Sequence, residues 1–556
     1  MVTGRVRAGG QDDAGPRPWQ CGATLRPSFG IADATVALFL VVAAAAYLTS
    51  LPRNLGLADE SYFLYEAKRI RDGQVMYRDI FQYTTPLSSY FMAALFWLFG
   101  TTMATARISM ALVHTLTGLV LYATARRLAV RLEVAVLVPL AYLAICQPIW
   151  PYASWHWFST LATAALLFAL ITTPWRERPR WALLPGLLSG VLIGVQHQRG
   201  LVVTAGAFVV LVADHLAGRR YSREPVTLLL LRFAYLAGGV LLVVVPLLVG
   251  FVAAAGAGPL YDALVRFPLE SYHRSYRVPW GQLSPLARGY GVYTFPAVLR
   301  YSPLLLALPA AEIAVDLVRR LNRQRVGHLL ALVVVGASSL LSIWYYPDLI
   351  HFAFVACVFW LCAAIGMEWI LSVLPGSPRL RRAAGLGASA VVLVSLVRHL
   401  DGNARLLQEQ FPLSHETAFG RIDFAAPWQI AFVDRVRELL AQAPSAELFC
   451  YPNLAAPYLT TGGSNPTPFQ HFDAGVFPRR YTAAVLATLT SRRVPYVVAS
   501  PLIQRDDPII RLLNEDYENV PVAGPHGELP SLWLFGRKDR SLPKGLGASD
   551  GSVLRQ

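Results

Sequence analysis

The chain has 556 residues, is 55% hydrophobic and only 15% charged, and carries a formal net charge of +15. Its mean hydropathy is +0.44. An average soluble chain is about 25% charged, so these values exclude a soluble enzyme, a disordered protein and a secreted disulfide scaffold. The expected fold class is a polytopic α-helical membrane protein with an α/β domain at its C-terminus. The five cysteines are scattered without ligand spacing, which indicates neither a disulfide framework nor structural zinc. The arginines sit mostly in short loops between apolar runs, so the charge marks membrane orientation and not nucleic acid.

Residues 1–33 form a basic tail, with Arg5, Arg7, Arg17 and Arg26, and are expected in the cytoplasm. The apolar run 34–51 is the first span. An outer loop, 52–85, follows. Its DESYFLYEAKRIRDG stretch predicts an amphipathic helix that stops at Gly73 and lies on the membrane face. The run 86–99 rises only about 21 Å, too short for a roughly 30 Å hydrocarbon core, so it is read as interfacial or re-entrant. Further spans are expected near 104–125, 132–149, 156–173, 181–197, 200–217, 230–254, 297–318, 327–345, 350–374 and 383–399. Eleven spans then place every arginine cluster inside, including Arg176/Arg178/Arg180 and Arg379/Arg381/Arg382. The transmembrane domain is thus 34–399, with a second outer loop at 256–296. Residues 400–540 are expected as an extracytoplasmic domain. It has a helix carrying Ile430, Val433, Val436 and Leu440, strands at 448–451, 496–499 and 532–535, and a loop at 462–468. Residues 541–556 are a tail. No internal repeat appears.

The run from Asp59 through Tyr77-Arg78-Asp79 and Pro86 to Phe99-Gly100 and Arg107 resembles the GT-C glycosyltransferases. The likeness is to the polyprenyl-phosphate-sugar branch, protein O-mannosyltransferase-like and aminoarabinose transferase-like, of the family 39/83 type. It implies an inverting hexosyl- or pentosyltransferase in the bacterial cytoplasmic membrane. The donor would be a polyprenyl-phosphate sugar, and the acceptor a hydroxyl of a glycan, lipid or protein on the outer face. No nucleic acid is involved. The resemblance makes Asp59 the catalytic base, with Glu60 beside it, and sets Tyr62, Arg78 and Asp79 among the substrate contacts. On local sequence alone, the stronger reading of Asp59 is a helix N-cap. Thr84-Thr85 stands before Pro86 where the aminoarabinose branch has Glu-Lys, which puts that donor and acceptor in doubt.

Four other places compete between structure and function. His156 lies in PYASWHW, an aromatic belt that explains its neighbours better than it explains the histidine. Arg199, in QHQRG, falls at the outer edge, where positive-inside logic calls for no arginine. A polyprenyl phosphate would pair it, and snorkelling to headgroups is the alternative. Asp348 and His351 are three apart, on one helical face, either at the substrate or in a structural hydrogen bond. His273 and Arg274, in the 256–296 loop, suit a phosphate or an anionic membrane surface equally. Some relatives in the resembling family carry a divalent metal ion, but no ligand cluster here marks a site for one. The rival functions are an O-antigen ligase or polymerase using a diphosphate-linked glycan, and a secondary transporter. The transporter would show paired broken helices and mid-membrane charges. Here the candidate charges fall at span ends.

Overall fold

The computed structural model describes residues 30–56, 59–219, 224–272, 278–282, 296–319, 322–501, 503, 507–522 and 531–539. The apolar runs fold as helices: α1 (Ile31–Ser50), α2 (Asp59–Arg71), α3 (Leu87–Phe99), α4 (Met103–Arg127), the broken α5 (Leu132–Ile149), α6 (Trp155–Thr172), α7 (Leu183–Val195), α8 (His197–Gly218), α9 (Val226–Ala255), α10 (Ala297–Arg319), α11 (Arg323–Leu341), α12 (Leu349–Val355), α13 (Cys357–Val373) and α14 (Pro378–Gln410). Among the described residues, nine helices are long and apolar enough to cross a membrane, or ten if α12 and α13 count as one span bent by 62°. The expected eleven spans all have helical counterparts. The count falls because the helical stretch Pro179–Val195 is shorter than a full span and because α12–α13 is bent.

Small residues bring α7 and α9 together. A Cβ on Gly186 would sit 2.2 Å from the Leu236 carbonyl oxygen, and one on Gly239 2.4 Å from that of Leu183. Backbones this close need glycine on both sides, the usual device where lipid tails give helices no hydrophobic drive to associate. α14 runs past residue 399 without a break. It is pinned beside α1 by Asn403 donating to the Tyr47 hydroxyl (2.8 Å) and Gln408 donating to the Ser50 carbonyl (2.8 Å).

The C-terminal domain begins with an antiparallel hairpin, β1 (Leu413–Thr417) and β2 (Gly420–Phe424). Helices α15 (Pro427–Gln442), α16 (Ala456–Thr461), α17 (Arg479–Ser491) and α18 (Pro508–Asp516) alternate with β3 (Leu448–Tyr451), β4 (Tyr496–Ala499), β5 (Tyr517–Asn519) and β6 (Trp533–Arg537). The sheet order is β3-β4-β6-β5, with β3 and β4 parallel and the other pairs antiparallel. On α15, Val433, Val436 and Leu440 are buried at helical spacing, as the sequence predicts.

α2 departs from expectation. It forms and ends before Gly73, which has φ +94°, but it does not lie half-exposed on a membrane face. Glu60 to Ala67 are all buried, and so is Arg69. The C-terminal domain covers the polar side. Tyr458 stacks on Tyr65 at 4.6 Å, the Asn465 amide donates to the Tyr65 hydroxyl (2.8 Å), and Gln470 donates to Glu66 (2.9 Å). The helix is therefore a layer between two domains.

Candidate active site

α2 begins with two carboxylates that meet opposite surroundings. Glu60 is fully buried. Its oxygens accept from both terminal nitrogens of Arg107, from the Gly56 amide (2.8 Å) and from the Ala153 amide (2.7 Å). This fork-shaped pair ties the start of α2 to α4 and to the loop before α6. Asp59, one residue earlier, opens into a cavity of about 580 Å³ between the membrane helices and the C-terminal domain. Protein surrounds the cavity, so desolvation dominates and pushes the Asp59 carboxyl up to about 6. His351 pulls against that shift and Asp348 adds to it.

Local caps aim the other membrane-side residues. Asp348 is the N-cap of α12. It accepts from the His351 amide (2.8 Å) and from His351 Nδ1 (2.7 Å). That contact occupies one ring nitrogen and leaves Nε2 as the one available to a cavity ligand. Ser154 caps α6 by accepting from the His156 amide (3.3 Å). The His156 ring stacks on Phe354 at 4.5 Å and meets His351 edge-on at 5.1 Å. Tyr62, one helical turn from Asp59, stacks on His471 of the C-terminal domain at 4.6 Å with planes 4° apart.

The structure thus brings Asp59, Tyr62, His156, Asp348 and His351 to one cavity. Arg199 is buried behind its wall. It donates to Ser159 Oγ (2.9 Å), Thr160 Oγ1 (3.3 Å) and the carbonyl of Phe354 (3.1 Å), the residue on which His156 stacks. Among the described residues no carboxylate pairs with it. Arg78 and Asp79 pair with each other at 2.8 Å away from the cavity. Glu60 does not line it. His273 and Arg274 lie outside the described residues. Among the described residues, no three His, Cys, Asp or Glu side chains are grouped to hold a metal ion.

Sequence reasoning missed the opposite wall, where Trp428, Gln429, Asn453, His471, Asp473 and Ser500 all face the cavity. The only local signal was polar residues directly after two predicted strands.

No family model and no curated protein matches the chain. Solved structures do. The crystal structure of ArnT from Cupriavidus metallidurans bound to undecaprenyl phosphate superposes with a TM-score of 0.58 at 16% identity, over 90% of this chain and 98% of that one. The apo structure of the same protein gives 0.54 at 16% identity, over 91% and 98%. The likeness shows the fold: a polytopic helical architecture shared with that protein over 90% of this chain, joined here to a C-terminal α/β domain.

Proposed function

We propose that this chain is an integral-membrane glycosyltransferase. It moves a monosaccharide from a polyprenyl-phosphate carrier to an acceptor hydroxyl on the outer face of a bacterial cytoplasmic membrane, with inversion at the anomeric carbon. The observation that carries the reading is the Asp59 carboxyl, open to the cavity between the helix bundle and the C-terminal domain, with a raised pKa of about 6. A base with that pKa is ionised at neutral pH and still strong enough to take a hydroxyl proton in the transition state. Support for the donor class comes from a solved structure of the same fold, whose bound ligand is undecaprenyl phosphate.

The acceptor oxygen would bond to the anomeric carbon as the bond from that carbon to the phosphate oxygen breaks. Its proton passes to Asp59, and the electron pair leaves with the lipid phosphate. Charge then grows on the phosphate. His351, oriented by Asp348, and His156 are the wall residues able to meet it. Arg199 adds a buried positive field from behind His156 and Phe354. Glu60 holds α2 in register and touches no substrate. A divalent ion would need ligands beyond any cluster among the described residues.

The test is the purified protein in lipid nanodiscs, offered a panel of radiolabelled polyprenyl-phosphate sugars with membrane extract as acceptor. Release of the lipid phosphate from one donor is expected. No release from any donor overturns the reading and favours the diphosphate-glycan or transporter alternatives.

A further inference from the structure

The cavity has a second wall, and its chemistry differs from the first. β3 and β4 run parallel, with Tyr451 opposite Ala499 at their carboxyl ends. In open α/β sheets, ligands bind outside the carboxyl ends of parallel strands, where both strands hand over to loops. Here those loops are Pro452–Asn453–Leu454 after β3 and Ser500–Pro501 after β4, and all five residues line the cavity. The loops are held in shape. The Ser500 amide donates to the Tyr451 carbonyl (2.8 Å), and the Asn453 amide to the Phe472 carbonyl (3.0 Å). Asn453 turns the chain with φ +47°, a left-handed conformation that asparagine adopts more readily than most residues.

We propose that the C-terminal domain carries the acceptor half of the cavity at the carboxyl ends of β3 and β4, and that the acceptor is a saccharide. The proposal rests on the glycosyl-transfer reading and names its acceptor class. His471 joins the two halves, because its stacking partner Tyr62 shares a helical face with Asp59. Asp59, Tyr62, His471 and Asp473 all line the same cavity, so an acceptor held against His471 and Asp473 shares that space with the base.

The wall is mixed as a sugar requires. Phe424, Trp428 and Phe432 present aromatic surface to the apolar C–H face of a ring. Asn453 and Asp473 line the cavity with a carboxamide and a carboxylate that meet at 3.5 Å. Gln429 lines it while its side-chain oxygen caps α15 by accepting from the Ala425 (2.9 Å) and Ala426 (3.0 Å) amides. A lipid alcohol has no use for that polar set. Strand addition, one of the recurring ways in which a peptide is bound, needs an open strand edge. The outer edge of β3 is instead closed where the Leu448 amide donates to the Ser464 carbonyl (2.9 Å), and the cavity meets strand ends.

The test is saturation-transfer NMR on the full chain in nanodiscs. The probes are a panel of methyl pyranosides, methyl furanosides and disaccharides, beside a Ser/Thr peptide. At least one saccharide should receive saturation. Asp473→Asn and Trp428→Leu should each weaken that binding about tenfold, the size of one lost strong contact. Both variants are to be checked for wild-type melting. No saccharide signal, preference for the peptide, or unchanged binding in both folded variants would overturn the proposal. Donor turnover on the same samples separates the two readings. Saccharide binding without lipid-phosphate release would defeat the glycosyltransferase reading and leave a saccharide site with no acceptor role, and release without saccharide binding would defeat this proposal alone.

Discussion

Asp59 and Glu60 are neighbours in sequence and opposites in role, and the difference lies in what reaches them. Arg107, from α4, reaches Glu60 and leaves Asp59 to the cavity. Glu60→Ala should therefore leave the partly buried Arg107 without its carboxylate, keeping only its bond to the Asn54 carbonyl, and cost about 3 kcal/mol of stability. A loss of melting temperature in nanodiscs, with little folded protein recovered, is the expected outcome. Asp59→Asn should behave in the opposite way. The folded pKa of Asp59, about 6, lies above its ordinary 3.8, so the folded state binds the proton more readily. The stability it retains at low pH is lost as pH rises through about 6. Thermal melts at pH 8 should show Asp59→Asn at or above wild type. Turnover should rise as pH climbs through about 6, since only the ionised carboxylate is a base. A pH–rate profile flat from 5 to 8 would contradict the assignment. The acidic pair was legible in the sequence. Which member stays open was not, because the deciding cation comes from a helix packed alongside.

At the scale of elements, α2 shows what amphipathic pattern can and cannot reveal. Its helix and its stop at Gly73 follow from local sequence. Its burial does not, because the charged side looks solvent-facing until a second domain covers it. Glu66 sits in that covered layer, accepting from Gln82 (2.5 Å) and Gln470 (2.9 Å). Desolvation pushes its carboxyl up to about 7, against the hydrogen bonds from Ser89, Gln82 and Gln470 and, least, the Arg69 charge. Its folded pKa is above the ordinary 4.5, so the neutral form supports the docking of the C-terminal domain and that support is lost as pH rises through about 7. Melting temperature should fall between pH 6 and 8 in the wild type, and Glu66→Gln should flatten that slope. An equal slope in both would remove Glu66 as its source. The α7–α9 contact gives a second test. Gly186→Val places a branched side chain where the Leu236 carbonyl already sits. It should splay the pair and sharply lower the yield of monodisperse protein, whereas Gly238→Ala, with open space around it, should not. The β1–β2 hairpin and β5 escaped the sequence reading. They are short, and their pairing depends on partners far along the chain.

At the scale of the molecule, the C-terminal domain is both the cover of α2 and one wall of the cavity. α14 delivers it there as an unbroken helix from the membrane domain to Gln410. The membrane-side half of the site was readable because its residues cluster at span ends, where polar groups stand out against apolar runs. Asp348 and His351 are the plainest case, since their spacing alone put them on one face. The other half was not readable. Trp428, Asn453 and His471 look ordinary in a soluble domain and gain meaning only from what they face. Arg199 shows the same limit from the other side: its position at a span end was legible, but its place behind the wall was not. The most direct test is donor turnover in nanodiscs, with wild type and Asp59→Asn side by side. The predicted result is a loss of about 10²–10⁴-fold in the variant with melting preserved. A folded Asp59→Asn protein that keeps more than about a tenth of wild-type turnover, well above what loss of a general base permits, would contradict it.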